Sequence, residues 1–209
     1  MNQNNDKVNN YLCNHVRDLS NVDCYDPTDN NDDDISYDAN ISDKNLELMI
    51  ESSIELDSHA NMPVVGDSGY IISDTGDTSD VNAYSPEYES RKIKIVDAAL
   101  QYESQHDGKI SILVLRNALY APYMKNNLIP PLIMREAGIN VNKIPKIHLN
   151  NPDVEGHYMF FVETNFRITL SLKGVFSYFP VSKPTVEVLN ECEDVYLLTP
   201  TTWNPHNNE

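Results

Sequence analysis

Three cysteines, at positions 13, 24 and 192, are too few and too scattered for a disulfide framework, so reduced thiols are expected. Cys13 and His15 with Cys24 offer three ligand groups where a structural zinc takes four. His106, His148, His157 and His206 lack ligand spacing and read as loop residues, so no metal is expected. The seven glycines form neither a phosphate loop nor a dinucleotide fingerprint, so no cofactor is expected either. No apolar run approaches the roughly 20 residues of a membrane span, and no secretory signal pattern opens the sequence. The expectation is a soluble, cytoplasmic chain without a membrane partner. Cations are scarce in one part only. Residues 1–90 hold 3 Lys/Arg against 20 Asp/Glu, and residues 91–209 hold 12 against 12, so the net charge of −17 sits wholly in the first part. Phosphate contacts need clustered Lys/Arg, so no nucleic-acid partner is expected.

Residues 1–45 are rich in Asn, Asp and Ser, including Asn30-Asn31-Asp32-Asp33-Asp34. Such a segment buries too little apolar surface to offset its ordering entropy and is expected to be disordered, a solvated acidic tail. From Leu46 the chain turns apolar in short alternating pieces. Ile54 and Leu56 alternate with Ser53 and Glu55, which predicts a strand with one anchored face and delivers Asp57 at its end. A loop leaving a rigid strand is a sound mount for a catalytic group, and Ser58 is placed to bond the local backbone and brace the turn. Peptide hydrolysis by carboxylates needs two that share one proton, one activating water and the other protonating the carbonyl. One good aspartate therefore implies a second.

Two other short motifs compete for attention. Gly66-Asp67-Ser68-Gly69 spells the tetrapeptide around a trypsin-like serine nucleophile, but nothing upstream supplies the rest of such a triad, and a Gly-containing turn is the better account. Asp74-Thr75-Gly76 has the orthodox aspartic-protease spelling, yet Ser73 precedes it and Asp77 follows where apolar and small residues belong. At Asp57 both flanks, Leu56 and Ala60, are right.

The remaining chain reads as strands at Val64-Val65 and Tyr70-Ile72, a polar turn-rich stretch over 77–92, and a hairpin of Val96–Tyr102 with Lys109–Leu115 across Asp107-Gly108. A helix is predicted over Pro131–Ala137, with proline in its first turn and Gly138 to end it. Further strands are expected at Tyr158–Val162, Phe166–Leu172, Val175–Phe179 and Val195–Leu198, with an amphipathic helix over Pro184–Glu193. Trp203, the single tryptophan, reads as a packing residue.

Leu56-Asp57-Ser58-His59-Ala60-Asn61 resembles the hydrophobic-Asp-Ser/Thr-Gly-Ala motif of retropepsins, and is most similar to the Asp-Ser-His version in Pol polyproteins of some copia-type retrotransposons. Val64-Val65-Gly66 through Asp74-Thr75-Gly76, Ile95-Val96-Asp97-Ala98-Ala99, and the stretch from Ile112 to Trp203-Asn204-Pro205-His206 resemble the same region in the same order. Asn127-Leu128-Ile129 followed by Leu132–Gly138 is similar to the retropepsin strand and helix. The likeness runs over residues 50–206, and it implies Asp57 at the site and Asp74 in a later turn.

The resemblance implies a mainly β protein: a retropepsin-like closed β-barrel with one short helix over 46–146, a C-terminal β-rich extension over 147–209, and the disordered acidic segment 1–45. It implies an aspartic endopeptidase that works as a homodimer on a polyprotein or peptide substrate, each copy giving one Asp57 to the dyad and Ser58 bracing the turn. His59 and Ala60 complete the active-site turn, Ala60 letting the paired loops approach. The flap is either the stretch before residue 92 or the hairpin at Asp107-Gly108. His59 stands where most aspartic proteases have glycine, Asn61-Met62-Pro63 where the resembled pattern has Asp-Thr-Cys, and Pro130 where many retropepsins have glycine. These departures keep a second expectation alive: a catalytically silent retropepsin-like remnant acting only as a structural or interaction module.

Overall fold

The computed structural model describes residues 52–82, 90–144 and 156–205. The acidic segment 1–45, the Cys13–His15–Cys24 set, His148 and His206 lie outside the described residues. Within them the protein is mainly β, with twelve strands and two short helices.

The strands are β1 (Ser53–Leu56), β2 (Val64–Val65), β3 (Tyr70–Val81), β4 (Arg91–Glu103), β5 (Ile110–Tyr120), β6 (Asn127–Ile129), β7 (Ile139–Asn142), β8 (Tyr158–Phe161), β9 (Phe166–Thr169), β10 (Ser171–Lys173), β11 (Phe176–Pro180) and β12 (Val195–Leu197). The helices are α1 (Pro131–Glu136) and α2 (Val186–Glu191). Nine strands form one sheet in the order β10-β11-β1-β6-β2-β5-β4-β3, with β12 also on β5, and β7-β8-β9 form a second. No pairing joins β10 to β3 among the described residues, so the hydrogen-bonded order runs between two edges.

The long hairpins follow from residue type. β4 and β5 alternate and run through apolar, β-branched residues, and they pair from Glu103↔Ile110 to Ile95↔Leu119 across the expected turn, where Gly108 takes φ 69°. β3 departs from expectation: it continues from Ile72 to Val81, and β4 begins at Arg91, so both ends of the polar stretch over 77–92 that reads as turn are strand, while 83–89 lie outside the described residues. Cross-strand pairs such as Thr78↔Lys94 and Asp80↔Lys92 carry it as an exposed ribbon. Thr and Asp on a solvated hairpin lose little by pairing, because neither face has to be apolar.

α1 has Pro131 in its first turn, and Gly138 at φ 83° follows the helix end. α2 starts at Thr185, whose hydroxyl accepts the Val188 amide at 3.3 Å. The predicted strand 166–172 is split at Leu170 into β9 and β10, and these go to different sheets.

One core spans both sheets. Ile54, Leu56, Leu113, Leu115, Ile129 and Phe179 of the large sheet meet Ile139, Met159, Phe161 and Ile168 of the small one. Between them Tyr102, Phe161, Phe166, Phe179 and Tyr196 make an aromatic cluster, with Phe166 stacked on Tyr196 at 4.2 Å. The C-terminal residues are threaded into the large sheet: β11 pairs antiparallel with β1, and β12 pairs parallel with β5. Trp203 packs, as expected, against Met62, Ile95 and Leu119. His157 lies in the bend before β8, a loop position as expected, yet it is buried there, its Nε2 3.1 Å from the Ser177 hydroxyl of β11.

Candidate active site

The site is built on the shortest strands. β6 lies between β1 and β2, parallel to β1 (Leu56↔Ile129) and antiparallel to β2 (Val64↔Leu128). The turn at Asp57–Pro63 that joins β1 to β2 therefore passes over the end of β6. The Asp57 amide donates to the Ile129 carbonyl at 3.0 Å, so the aspartate sits beside the strand that leads through Pro130 into α1.

What fixes this junction is a buried polar hub. Asn127, fully buried at the start of β6, accepts the Gly66 amide at 2.9 Å and donates to the Ser53 carbonyl at 3.1 Å and the Ser68 hydroxyl at 2.9 Å. Ser52 adds hydrogen bonds to Ser68 and to the Lys125 carbonyl. One amide side chain thus ties β1, the end of β2 and the following turn together. Ser68, the serine of the trypsin-like spelling, is spent inside this hub.

Asp57 itself is partly exposed, its side chain at 33 %. Its Oδ1 accepts the His59 amide at 2.8 Å, a turn in which the carboxylate bonds two residues ahead. That bond supplies the bracing expected of Ser58, whose hydroxyl points into no hydrogen bond among the described residues and is exposed. The His59 ring, 96 % exposed, stands with Nδ1 3.7 Å from the carboxylate. Ala60 is half-buried. All four predicted turn residues are contiguous, and among the described residues no hydrogen bond joins Asp57 to a second carboxylate.

Sequence reading missed Lys143, which leaves β7 and donates from Nζ to the Leu56 carbonyl at 3.2 Å. Burial holds this ammonium below the usual lysine range, the Arg135 charge pushes the same way, and Asp57 pushes back. No spacing rule links position 143 to position 56, so only the fold could bring them together.

Asp74 is elsewhere. It lies in the irregular middle of β3 rather than in a turn, near Gly76 at φ 80°. The Gly76 amide and the Lys94 ammonium, both at 3.0 Å, hold its carboxyl below the ordinary range. A concavity of about 300 Å³ also lies apart from the Asp57 turn, between the end of α1, the β8–β9 turn and residues 195–202.

The Asp57 end of the large sheet has an unusual surface. The register Leu56↔Ser177 places Phe176 across from Asp57, and Val175 follows it at the β10–β11 tip. Leu132 stands in the first turn of α1, and Ile144 adjoins Lys143. These four are among nine exposed large hydrophobics of the described residues, and each lies on a segment that adjoins the Asp57 turn by strand register or by chain connection.

Among the described residues no cluster of His, Cys, Asp or Glu is arranged to hold a metal, and no helix is long and apolar enough to cross a membrane. No protein-family model, curated protein or solved structure matches the chain.

Proposed function

We propose that the chain is a retropepsin-type aspartic endopeptidase subunit that cleaves extended segments of a polyprotein as a homodimer. The observation that carries the reading is the setting of Asp57. A partly exposed carboxylate is mounted on a turn pinned to the end of β6, and the segments adjoining that turn carry four exposed apolar side chains. A lone surface aspartate needs no such neighbours, whereas a two-fold contact centred on the turn would bury them and bring a second Asp57.

On this reading the β1–β6–β2 junction with α1 carries the retropepsin-like site on a sheet whose hydrogen-bonded order stays open between two edges, not the closed barrel expected, and the exposed β3–β4 ribbon is the flap. Substrate lies extended beneath it and bonds in strand fashion. With one proton shared between two carboxylates, the ionised Asp57 takes a proton from water while its partner gives one to the scissile carbonyl. Ala60 leaves room for the two turns to approach.

One observation favours the non-cleaving reading. The Lys143 ammonium acts on a single carboxylate whose other neighbour is the His59 ring at 3.7 Å, and a positive charge there favours the doubly ionised pair over the shared proton.

The test is sedimentation equilibrium at pH 5 and pH 7 together with digestion of a peptide library by wild type and Asp57→Asn. A dimer whose cleavage vanishes in the variant and with pepstatin-type inhibitors is the expected result. Cleavage that survives Asp57→Asn would refute the site, and a dimer that cleaves nothing would leave the interaction module.

A further inference from the structure

We propose that Lys143 is a positioning residue of the Asp57 site, holding the Leu56 carbonyl from the end of β7 and setting a positive charge beneath the turn. Its functional consequence rests on the protease reading above; its geometry does not.

The placement is anchored from several sides. β7 is paired with β8 through Val141↔Met159 and Asn142↔Tyr158. The Asn142 side chain donates to the Gly156 carbonyl at 3.0 Å and accepts the Ile144 amide at 3.1 Å, which fixes the chain on either side of Lys143. From there Nζ reaches the carbonyl of the residue directly before Asp57, at 3.2 Å and 87 positions away in sequence.

The charge environment is unfavourable for a lysine. Among the described residues no carboxylate lies within ion-pair distance of Lys143. The charged groups acting on it are Arg135 of α1, which repels it, and Asp57, which attracts it; His59 faces Asp57 from within the turn. Arg135 is itself held, its guanidinium donating to the Val141 carbonyl at 3.2 Å. A neutral donor would hold the Leu56 carbonyl without this desolvation and repulsion. What the ammonium adds is a field at Asp57.

In a dyad that shares one proton, two such ammonium groups favour the monoanion over the fully protonated pair. They keep a base available at lower pH.

The coupling between Lys143 and Asp57 separates this role from simple bracing. Desolvation and Arg135 oppose the charged lysine in the fold, while its hydrogen bond to the Leu56 carbonyl favours the fold in either background. The experiment is thermal unfolding of the full chain at pH 7 for wild type, Lys143→Met, Asp57→Asn and the double variant. Cleavage pH profiles of wild type, Lys143→Met and Lys143→Arg accompany it. Lys143→Met is expected to be better tolerated in the Asp57→Asn background than in wild type, because there the ammonium has lost its anionic neighbour. The acid limb of kcat/KM is expected to move up by roughly half to one pH unit in Lys143→Met, with Lys143→Arg restoring it.

A Tm shift for Lys143→Met that is equal in both backgrounds, with an unmoved acid limb, would overturn the proposal and leave the protease reading intact. Unequal shifts in Tm with no cleavage by any variant would sustain the pairing of Lys143 with Asp57 and remove the protease reading.

Discussion

Replacing Asn127 by leucine keeps the side-chain volume near native and removes every polar contact that the Asn127 side chain makes in the hub. The Gly66 amide and the Ser53 carbonyl are left without their partner, and the Ser68 hydroxyl loses its donor. Each buried polar group stranded in this way costs about 1–3 kcal/mol. Ser52 remains to satisfy Ser68, so two backbone groups bear most of the loss and the sum is about 3 kcal/mol. Against a total stability of about 5–15 kcal/mol, that is a large shift in the denaturation midpoint. Urea unfolding followed by the fluorescence of Trp203, the single tryptophan, measures it. Asn127→Asp sharpens the test. Its carboxylate still accepts from Gly66 but faces the Ser53 carbonyl with no proton to give, whereas its acid form can donate. The deficit of Asn127→Asp should therefore shrink between pH 7 and pH 4. A loss below about 1 kcal/mol for Asn127→Leu would refute the claim that this amide holds the β1–β6–β2 junction.

Gly66→Ala should lower Tm sharply, because the added methyl would run into the Met124 carbonyl oxygen, whereas Gly76→Ala meets open space and should cost about 1 kcal/mol for its positive φ alone. Asp74→Ala should leave cleavage at the wild-type rate and change stability by less than about 0.5 kcal/mol, since its ion pair with Lys94 is exposed. Its lowered carboxyl pKa makes that small contribution present at neutral pH and absent once the carboxyl is protonated in acid, which urea midpoints at pH 7 and pH 2.5 can check.

Much of the fold was legible where pattern and local chemistry agree. β1, the β4–β5 hairpin, α1 with its proline and glycine, β8, β11 and β12 lie where alternation and turn residues put them. The departures are tertiary. Residues 77–81 read as loop because isolated Thr, Ser and Asp favour turns, but a long partner strand on a solvated ribbon overrides that preference. The single strand expected over 166–172 breaks at Leu170 because its two halves pair in different sheets. His157 lies in a loop as expected, but its burial depends on which distant segments cover it. At the site, Asp57 through Ala60 were visible as a motif, while Lys143 and the exposed apolar side chains come from segments dozens of residues away and left no local signature.

The placement of β11 bears most directly on how the Asp57 turn is held. Without it β1 would be an edge strand, paired on β6 alone through three residues. β11 covers that edge over four pairs and buries Phe179 against Tyr102 at 6.0 Å, and β12 covers part of β5 in the same way. Phe179, Val181, Leu189, Val195, Tyr196 and Leu198 are all buried. At about 1.5–3 kcal/mol for each large apolar side chain, they supply on the order of 10 kcal/mol, comparable with the stability of a whole domain. A chain cut after residue 146 should therefore fail to unfold cooperatively and should expose its apolar edge to dye binding and aggregation. Two chains cut at that point and mixed, 1–146 with 147–209, should recover the cooperative transition if the C-terminal strands complete the sheet. A cooperative transition in 1–146 alone would mean that β1 and its aspartate are held by the N-terminal part unaided.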